Sequence, residues 1–388
     1  MRFPLPVLVS AAGVLAACAS DTSSPADPAA AISLESDAPD ALRGAGGPGA
    51  LYTLTNAVGG NAVLAFDRSA DGTLAAPTAY ATGGTGTGGG LGNQGAVILS
   101  RDGRWLAAVD AGSNEVTLFR VHPRGLSLAS RAPSGGVRPI SVTLRGNLLY
   151  VLNNGSPANI TGFRVSPSGE LAPLAGSTRP LSEPAPNASQ VEFSPDGSRL
   201  VVTEKATNRL LTYPVGGDGI AGAPSMRASV GQTPFGFGFT QQGLLLVSEA
   251  FGGAPDASAV SSYRPAGGLA YEVASASVGT TETAACWIVV SQNGRFAYTT
   301  NTGSGTISGY AIAGDGSLTL LDADGRTGVT GAGSGPIDAG ISGGGRFLYS
   351  LNGANGTISG FAVGGDGSLS PLATVPGLPA GANGLAVR

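Results

Sequence analysis

From Leu51 to Arg388 one unit of sequence is written seven times, and the first copy lacks a segment that the end of the chain supplies. The clearest copies run Gly345-Arg-Phe-Leu-Tyr-Ser-Leu-Asn352 through Thr357-Ile-Ser-Gly-Phe361 to Asp366-Gly-Ser-Leu369, and Gly294-Arg-Phe-Ala-Tyr-Thr-Thr-Asn301 through Thr306-Ile-Ser-Gly-Tyr310 to Asp315-Gly-Ser-Leu318. The frame recurs at Leu51-Tyr52, Gly103, Gly146, Gly197 and Gly243, with 43 to 51 residues between successive glycines. A unit of this length, built of short strands, cannot bury both of its faces alone and must stack on its neighbours. Seven such units predict an all-β fold, a seven-bladed propeller with four-stranded blades.

Each unit resolves into four strands, which we letter A to D. In the seventh they fall at 339–341, 347–351, 357–363 and 369–374. The A–B turn carries a Ser/Thr-x-x-Gly signature, as in Ser100-Arg-Asp-Gly103, Ser194-Pro-Asp-Gly197 and Ser291-Gln-Asn-Gly294. The C–D turn repeats the idea at Asp71-Gly72, Asp218-Gly219, Asp315-Gly316 and Asp366-Gly367. Gly, Asp and Asn are the residues that tolerate the positive φ of tight hairpins. The first unit has strands B, C and D at 51–55, 62–66 and 74–80 but no A strand. Asn383-Gly-Leu-Ala-Val-Arg388 has the composition of one, so the C-terminal strand is expected to complete the first blade and remove its open edge.

Composition agrees, with 64 Gly, 26 Pro and 42% apolar residues, a turn-rich pattern of short buried strands. Only 12% of residues are charged and the net charge is -4, which leaves no basic face for a nucleic acid partner. Lys205 is the single lysine.

The first residues read as an export signal over 1–17: Arg2, an apolar run from Phe3 to Ala17, and no acidic residue before Asp21. The run is too short to span a bilayer. It ends in Leu15-Ala16-Ala17-Cys18, which resembles the bacterial lipobox, so Cys18 is expected to carry the lipid. Ala19 in place of Asp points to the outer membrane. Residues 18–48 are rich in Ala, Pro, Ser, Asp and Gly and read as a flexible tether, with the propeller filling 49–388. The expectation is a monomer of the cell envelope that meets the membrane only through its lipid. With Cys18 lipidated, Cys286 is left as a lone, buried, structural thiol.

Three motifs invite error. Gly340-Ile-Ser342-Gly-Gly344 matches a nucleophile elbow, yet Ser342 holds the turn position of Ser100, Ser194 and Ser291 in sibling blades. The sole histidine, His122, lies in a C–D turn, on the face away from the usual propeller site, so a serine triad has no base there. The glycine-rich run Gly83–Gly95 has no helix behind it to make a phosphate cradle and reads as a long D-to-A connection. One histidine and one free cysteine cannot supply a zinc site.

In a propeller the D–A and B–C connections share one face. The A-strand starts around the channel mouth contribute Gln94, Arg138, Asn187, Gln190, Phe235, Glu282, Trp287 and Asp338; the B-strand ends contribute Asn56, Asp110, Asn153, Glu204, Lys205, Glu249, Asn301 and Asn352. Departures from the repeat are the informative positions: Glu204 and Lys205 stand where siblings carry Asn or Asp, Glu249 follows one blade on, and Phe235 and Trp287 add aromatics. Carboxylates, a cation and aromatic walls suit a small-molecule pocket. Salt bridging between blades is the competing account.

Ser194-Pro-Asp-Gly197, Thr203-Glu-Lys-Ala-Thr-Asn208, Thr233-Pro-Phe-Gly-Phe237, Ala285-Cys-Trp287 and Thr300-Asn301 resemble the lactonase-family seven-bladed propellers, over about residues 49–388. That family includes propeller-type 6-phosphogluconolactonase and carboxy-muconate cyclase. The resemblance implies a lactone hydrolase without a cofactor, although Arg138 lies in Val-Arg-Pro-Ile where relatives carry a histidine. The expected chemistry has Glu204, Glu249 or Asp338 taking a proton from water and Arg138 or Lys205 stabilising the oxyanion. Gln190, Phe235, Glu282, Trp287 and Asn301 are the expected substrate contacts. The alternatives are a non-catalytic envelope propeller that binds a small molecule, glycan or protein, and a divalent cation held by the outer-ring oxygens.

Overall fold

The computed structural model describes residues 47–388. The export signal, Cys18 and most of the tether lie outside them. The described chain forms seven antiparallel sheets arranged as a seven-bladed propeller, with one 3-10 turn at Phe251–Gly253 and no α-helix among the described residues. Each blade orders its strands A-B-C-D from the channel outwards. In the third, sixth and seventh blades the D strand is broken into two pieces that both pair with C, such as Leu171–Pro173 and Arg179–Pro180. In the seventh blade A, B and C span Pro336–Ile341, Phe347–Asn352 and Thr357–Val363, and Leu369–Pro371 and Val375–Pro376 share the D position. Strand A thus starts three residues before its expected start, because Pro336 and Asp338 still pair with B.

Asn383–Val387 is the A strand of the first blade. It pairs antiparallel with Gly49–Leu54, matching Leu51 with Val387 and Tyr52 with Ala386. Asn383, Leu385 and Ala386 are buried. Beyond the ladder, the Arg388 amide donates to the Ala50 carbonyl (2.8 Å), and the Arg68 guanidinium donates to the Arg388 carbonyl (3.1 Å). An open ring would instead present the unpaired edge of Gly49–Leu54 to solvent.

Strand alternation puts A–B and C–D turns on one face, called lower here, and B–C turns and D–A connections on the upper face. Blades are latched together on the lower face by a repeated contact. The hydroxyls of Tyr150, Tyr298 and Tyr349 in B strands donate to the carbonyls of Gly219, Gly367 and Gly72 in the C–D turn of the next blade (2.8, 2.9 and 2.5 Å). These glycines do two jobs. Gly367 has φ 91°, and a Cβ there would stand 2.7 Å from the Phe296 ring. The Asp-Gly signature therefore serves the hairpin and the seam between blades. Ser342 is a turn residue as expected: it closes the A–B hairpin through Phe347 N–H to Ser342 Oγ (3.1 Å).

Two outcomes are expected in thermal melts. Removing residues 383–388 costs on the order of 5 kcal/mol or more, a large share of the ~5–15 kcal/mol that holds an ordinary domain folded, and a parent-like melt would contradict ring closure. Gly367→Ala costs about 2 kcal/mol or more through φ and contact with Phe296 together.

Candidate functional site

The B-strand ends form one buried ring of polar residues that fasten the upper face. Asp110 accepts from Asn61 Nδ2 (2.9 Å) and Thr82 Oγ1 (2.6 Å). Asn301 donates to Thr306 and Ser308, and Asn352 to Thr357 and Ser359. Glu204 and Glu249 hold the same position. Glu204 is fully buried and accepts from Ser182 N–H (2.9 Å), Ser182 Oγ and Thr207 Oγ1 (2.5 Å). Glu249, also fully buried, accepts from Gly231 N–H (2.8 Å) and Ser277 Oγ (2.7 Å), and burial raises its pKa. The charge that sets these two apart in the sequence is spent on tying D–A connections and strands to the ring. Glu282 is likewise engaged, by Arg326 Nε (2.6 Å) and Thr306 Oγ1 (3.0 Å). Burial pushes its carboxyl up, but Ser304, Arg326 and Thr306 together bring it below its ordinary value.

The upper mouth of the channel is closed. The connection from the first blade to the second, Gly83 to Gly95, crosses it as a strap whose last residues bond to the inner strands around the ring. The Lys205 ammonium donates to the Gly92 carbonyl and the Trp287 indole to the Asn93 carbonyl. Asn93 Nδ2 donates to the Ile140 carbonyl, and the Gln94 amide nitrogen of the main chain donates to Ser189 O (3.1 Å). The Gln94 side chain spans to the sixth blade, donating to Ile288 O (2.8 Å) and accepting from Ile288 N–H (3.1 Å). Its amide lies against Gly236, where any Cβ would collide with Oε1. The strap thus explains the glycine-rich run as a tight crossing over the channel.

Under the strap, Lys205 sits 4.4 Å from the centroid of the Phe235 ring, which in turn packs at 4.7 Å on Trp287. Burial lowers the Lys205 pKa to about 7, and the Arg138 charge adds to the effect. Arg138 is half-buried on the upper rim with φ 55°, its N–H held by Asn114 Oδ1 of the preceding blade (2.7 Å). Cys286 is fully buried on the inner strand of the sixth blade.

Below the strap the channel widens into a cavity of about 850 Å³ whose walls include Gln94, Arg101, Thr143, Gln190, Glu192 and Asp338. Of the expected site residues, Asp338 and Gln190 border it. Both lie just past an irregularity in the A-strand register, between Pro336 and Asp338 and between Ala188 and Gln190, the kind of bulge that re-aims a side chain. Asp338 accepts from Ala339 N–H (2.8 Å), and its burial raises its pKa well above the ordinary value.

Glu192 and Arg101 escaped the sequence reading. Glu192 is two residues from Gln190 on one strand, so both share a side. Pairing with B aligns it with Ile98, Thr143, Gly238, Val289 and Gly340 in other blades, none of them charged. Comparing siblings halfway down the channel, and not at its upper mouth alone, would have found it. Gln190 Nε2 donates to Glu192 Oε2 (3.0 Å), while the Gln190 amide is itself locked to Phe237 N–H (2.7 Å) and Phe237 O (3.0 Å). Burial raises the Glu192 pKa to about 8, against a downward pull from the Arg101 charge.

A ring of seven blades around an acid-lined channel defines a propeller with a small-molecule cavity. The chain belongs to the lactonase, 7-bladed beta-propeller family, whose profile matches residues 51–185 and 256–384. It is similar in fold to a protein from Lactobacillus plantarum (18% identity, TM-score 0.71, covering 88% of this chain and 99% of the other). It is likewise similar to the periplasmic gluconolactonase of Pseudomonas aeruginosa (18% identity, TM-score 0.68, 87% and 98% covered). No curated protein matches the chain.

Lys205 yields a pH prediction. Its pKa falls from 10.5 to about 7 on folding, so between those values the folded chain holds fewer protons than the unfolded one. Stability from this group therefore rises with pH across that window, and its full cost is borne below about pH 7. Lys205→Met should raise the melting temperature at pH 6 and lose that gain towards pH 10; an equal shift at both would show that the amine is not buried in charged form.

Proposed function

We propose that the protein hydrolyses a small lactone in the channel cavity, with Glu192 as general base. Family membership supports the reaction class, and one local observation carries the site: a carboxyl poised near pH 8, fixed by a locked glutamine and facing an arginine across a cavity of small-molecule size. Glu192 takes a proton from water as the water oxygen attacks the lactone carbonyl. Arg101 stabilises the oxyanion. The ring C–O bond then breaks, the proton on Glu192 passes to the leaving alkoxide, and a hydroxy acid results. Asp338, whose burial raises its pKa well above the ordinary value and so favours the neutral acid, offers a hydrogen bond to substrate oxygen. Glu204 and Glu249 serve this reading as fasteners, and Lys205, Phe235 and Trp287 as the closed roof.

The second part of the proposal concerns location: export and lipidation at Cys18 would hold the ring at the cell envelope. Cys18→Ser should release it from membranes, as fractionation would show; retention of the variant with the membrane would contradict the anchor.

Purified protein assayed on a panel of sugar and aliphatic lactones should hydrolyse at least one. kcat/KM should climb with pH through about 8, as Glu192 loses its proton. Glu192→Gln should cut the rate by about 100-fold or more and abolish that rise while leaving the melt close to that of the parent. Full activity in Glu192→Gln would remove the base, and a panel without turnover would leave the binding propeller as the better account.

A further inference from the structure

We infer that small molecules reach the cavity from the lower face, through the ring of A–B turns, and that the upper face is not the entrance. This rests on the proposed cavity site but is independent of the chemistry there. Two observations carry it. The upper end is sealed by Gly92–Gln94, whose backbone and side chains bond to inner-strand or roof residues of the third, fourth and sixth blades, with Gln94 filling the space against Gly236 of the fifth. At the other end the cavity wall runs without interruption into the lower turns, through Arg101, Arg145, Asp196 and Gln241.

The chemistry of the two ends agrees with this assignment. At the upper end the amide of Gln94 is satisfied on both its nitrogen and its oxygen by Ile288, so a ligand passing there would have to replace two hydrogen bonds in a buried place. At the lower end Asp196 accepts from Ser194 Oγ (2.5 Å) and Ser198 Oγ (2.7 Å). These bonds hold its pKa down at about 2. A fixed carboxylate and the Arg101 guanidinium thus flank the opening, a polar, charged rim through which a hydrated small molecule can pass.

Val289 borders the cavity halfway down and is half-buried, which makes Val289→Cys a probe of access that needs no turnover. Its labelling by a small methanethiosulfonate, with the parent protein as background, should slow about 10-fold or more when Gln241→Trp is added at the lower rim. It should not slow when Gln94→Ala opens the strap. As a second measure that adds no mutation to the probe, Gln241→Cys tagged with a bulky maleimide should block any shift in melting temperature that gluconolactone or gluconate produces in the untagged protein. Slowing by Gln94→Ala or no effect of Gln241→Trp would overturn the lower entrance. Because labelling does not depend on hydrolysis, a protein that turns over no lactone can still pass this test, and one that turns over lactones can still fail it.

Discussion

Closure of the ring by Asn383–Val387 is the constraint on which the remaining structure depends. Without it the first blade keeps an unpaired inner edge, and every blade loses the fixed angle to its neighbours that a closed circle imposes. Once closed, the ring is held by contacts that repeat from blade to blade: tyrosine hydroxyls on glycine carbonyls below, and a buried polar residue at each B-strand end above. Each is worth about 1 kcal/mol net, small singly but multiplied around the ring. The glycines of the C–D turns show why the repeat is so strict: one residue has to satisfy its own hairpin and its neighbour's aromatic ring.

The strap turns this scaffold into an electrostatic device. Around and beneath it, burial is the largest influence on three titrating groups. Lys205 is driven down towards 7, Glu192 up to about 8 and Asp338 up as well, although all three would be charged at neutral pH in water. Such shifts cost stability, and groups shifted this way cluster where chemistry is done. The two cavity carboxyls also stand on inner strands whose register shifts just before them.

The sequence made the blades legible because each turn and strand is set by local chemistry. Asp-Gly and Ser-x-x-Gly mark hairpins wherever they occur, and alternation marks strands. Sibling comparison also placed Ser342 correctly as a turn residue. The same comparison ranked Glu204 and Glu249 by charge, and there it met its limit: a carboxylate and an amide can fill one fastening position, provided that nearby hydroxyls and amides satisfy the oxygens. Thr207 and Ser277 do so from within the same blade, and Ser182 and Gly231 from the connection that precedes it, an approach that no single repeat encodes.

Sequence alone determined the all-β ring of seven units, the turns, and the completion of the first blade by the last strand, since period, turn residues and the missing A strand are all written in one dimension. Only the tertiary structure decided that Gly83–Gly95 closes the upper mouth, that Glu192 and Asp338 share a cavity with Arg101, and that the opening lies below. Those facts depend on which side chains cross the channel and which blades they meet, and residues as far apart as Gln94 and Ile288 meet only when the circle is complete.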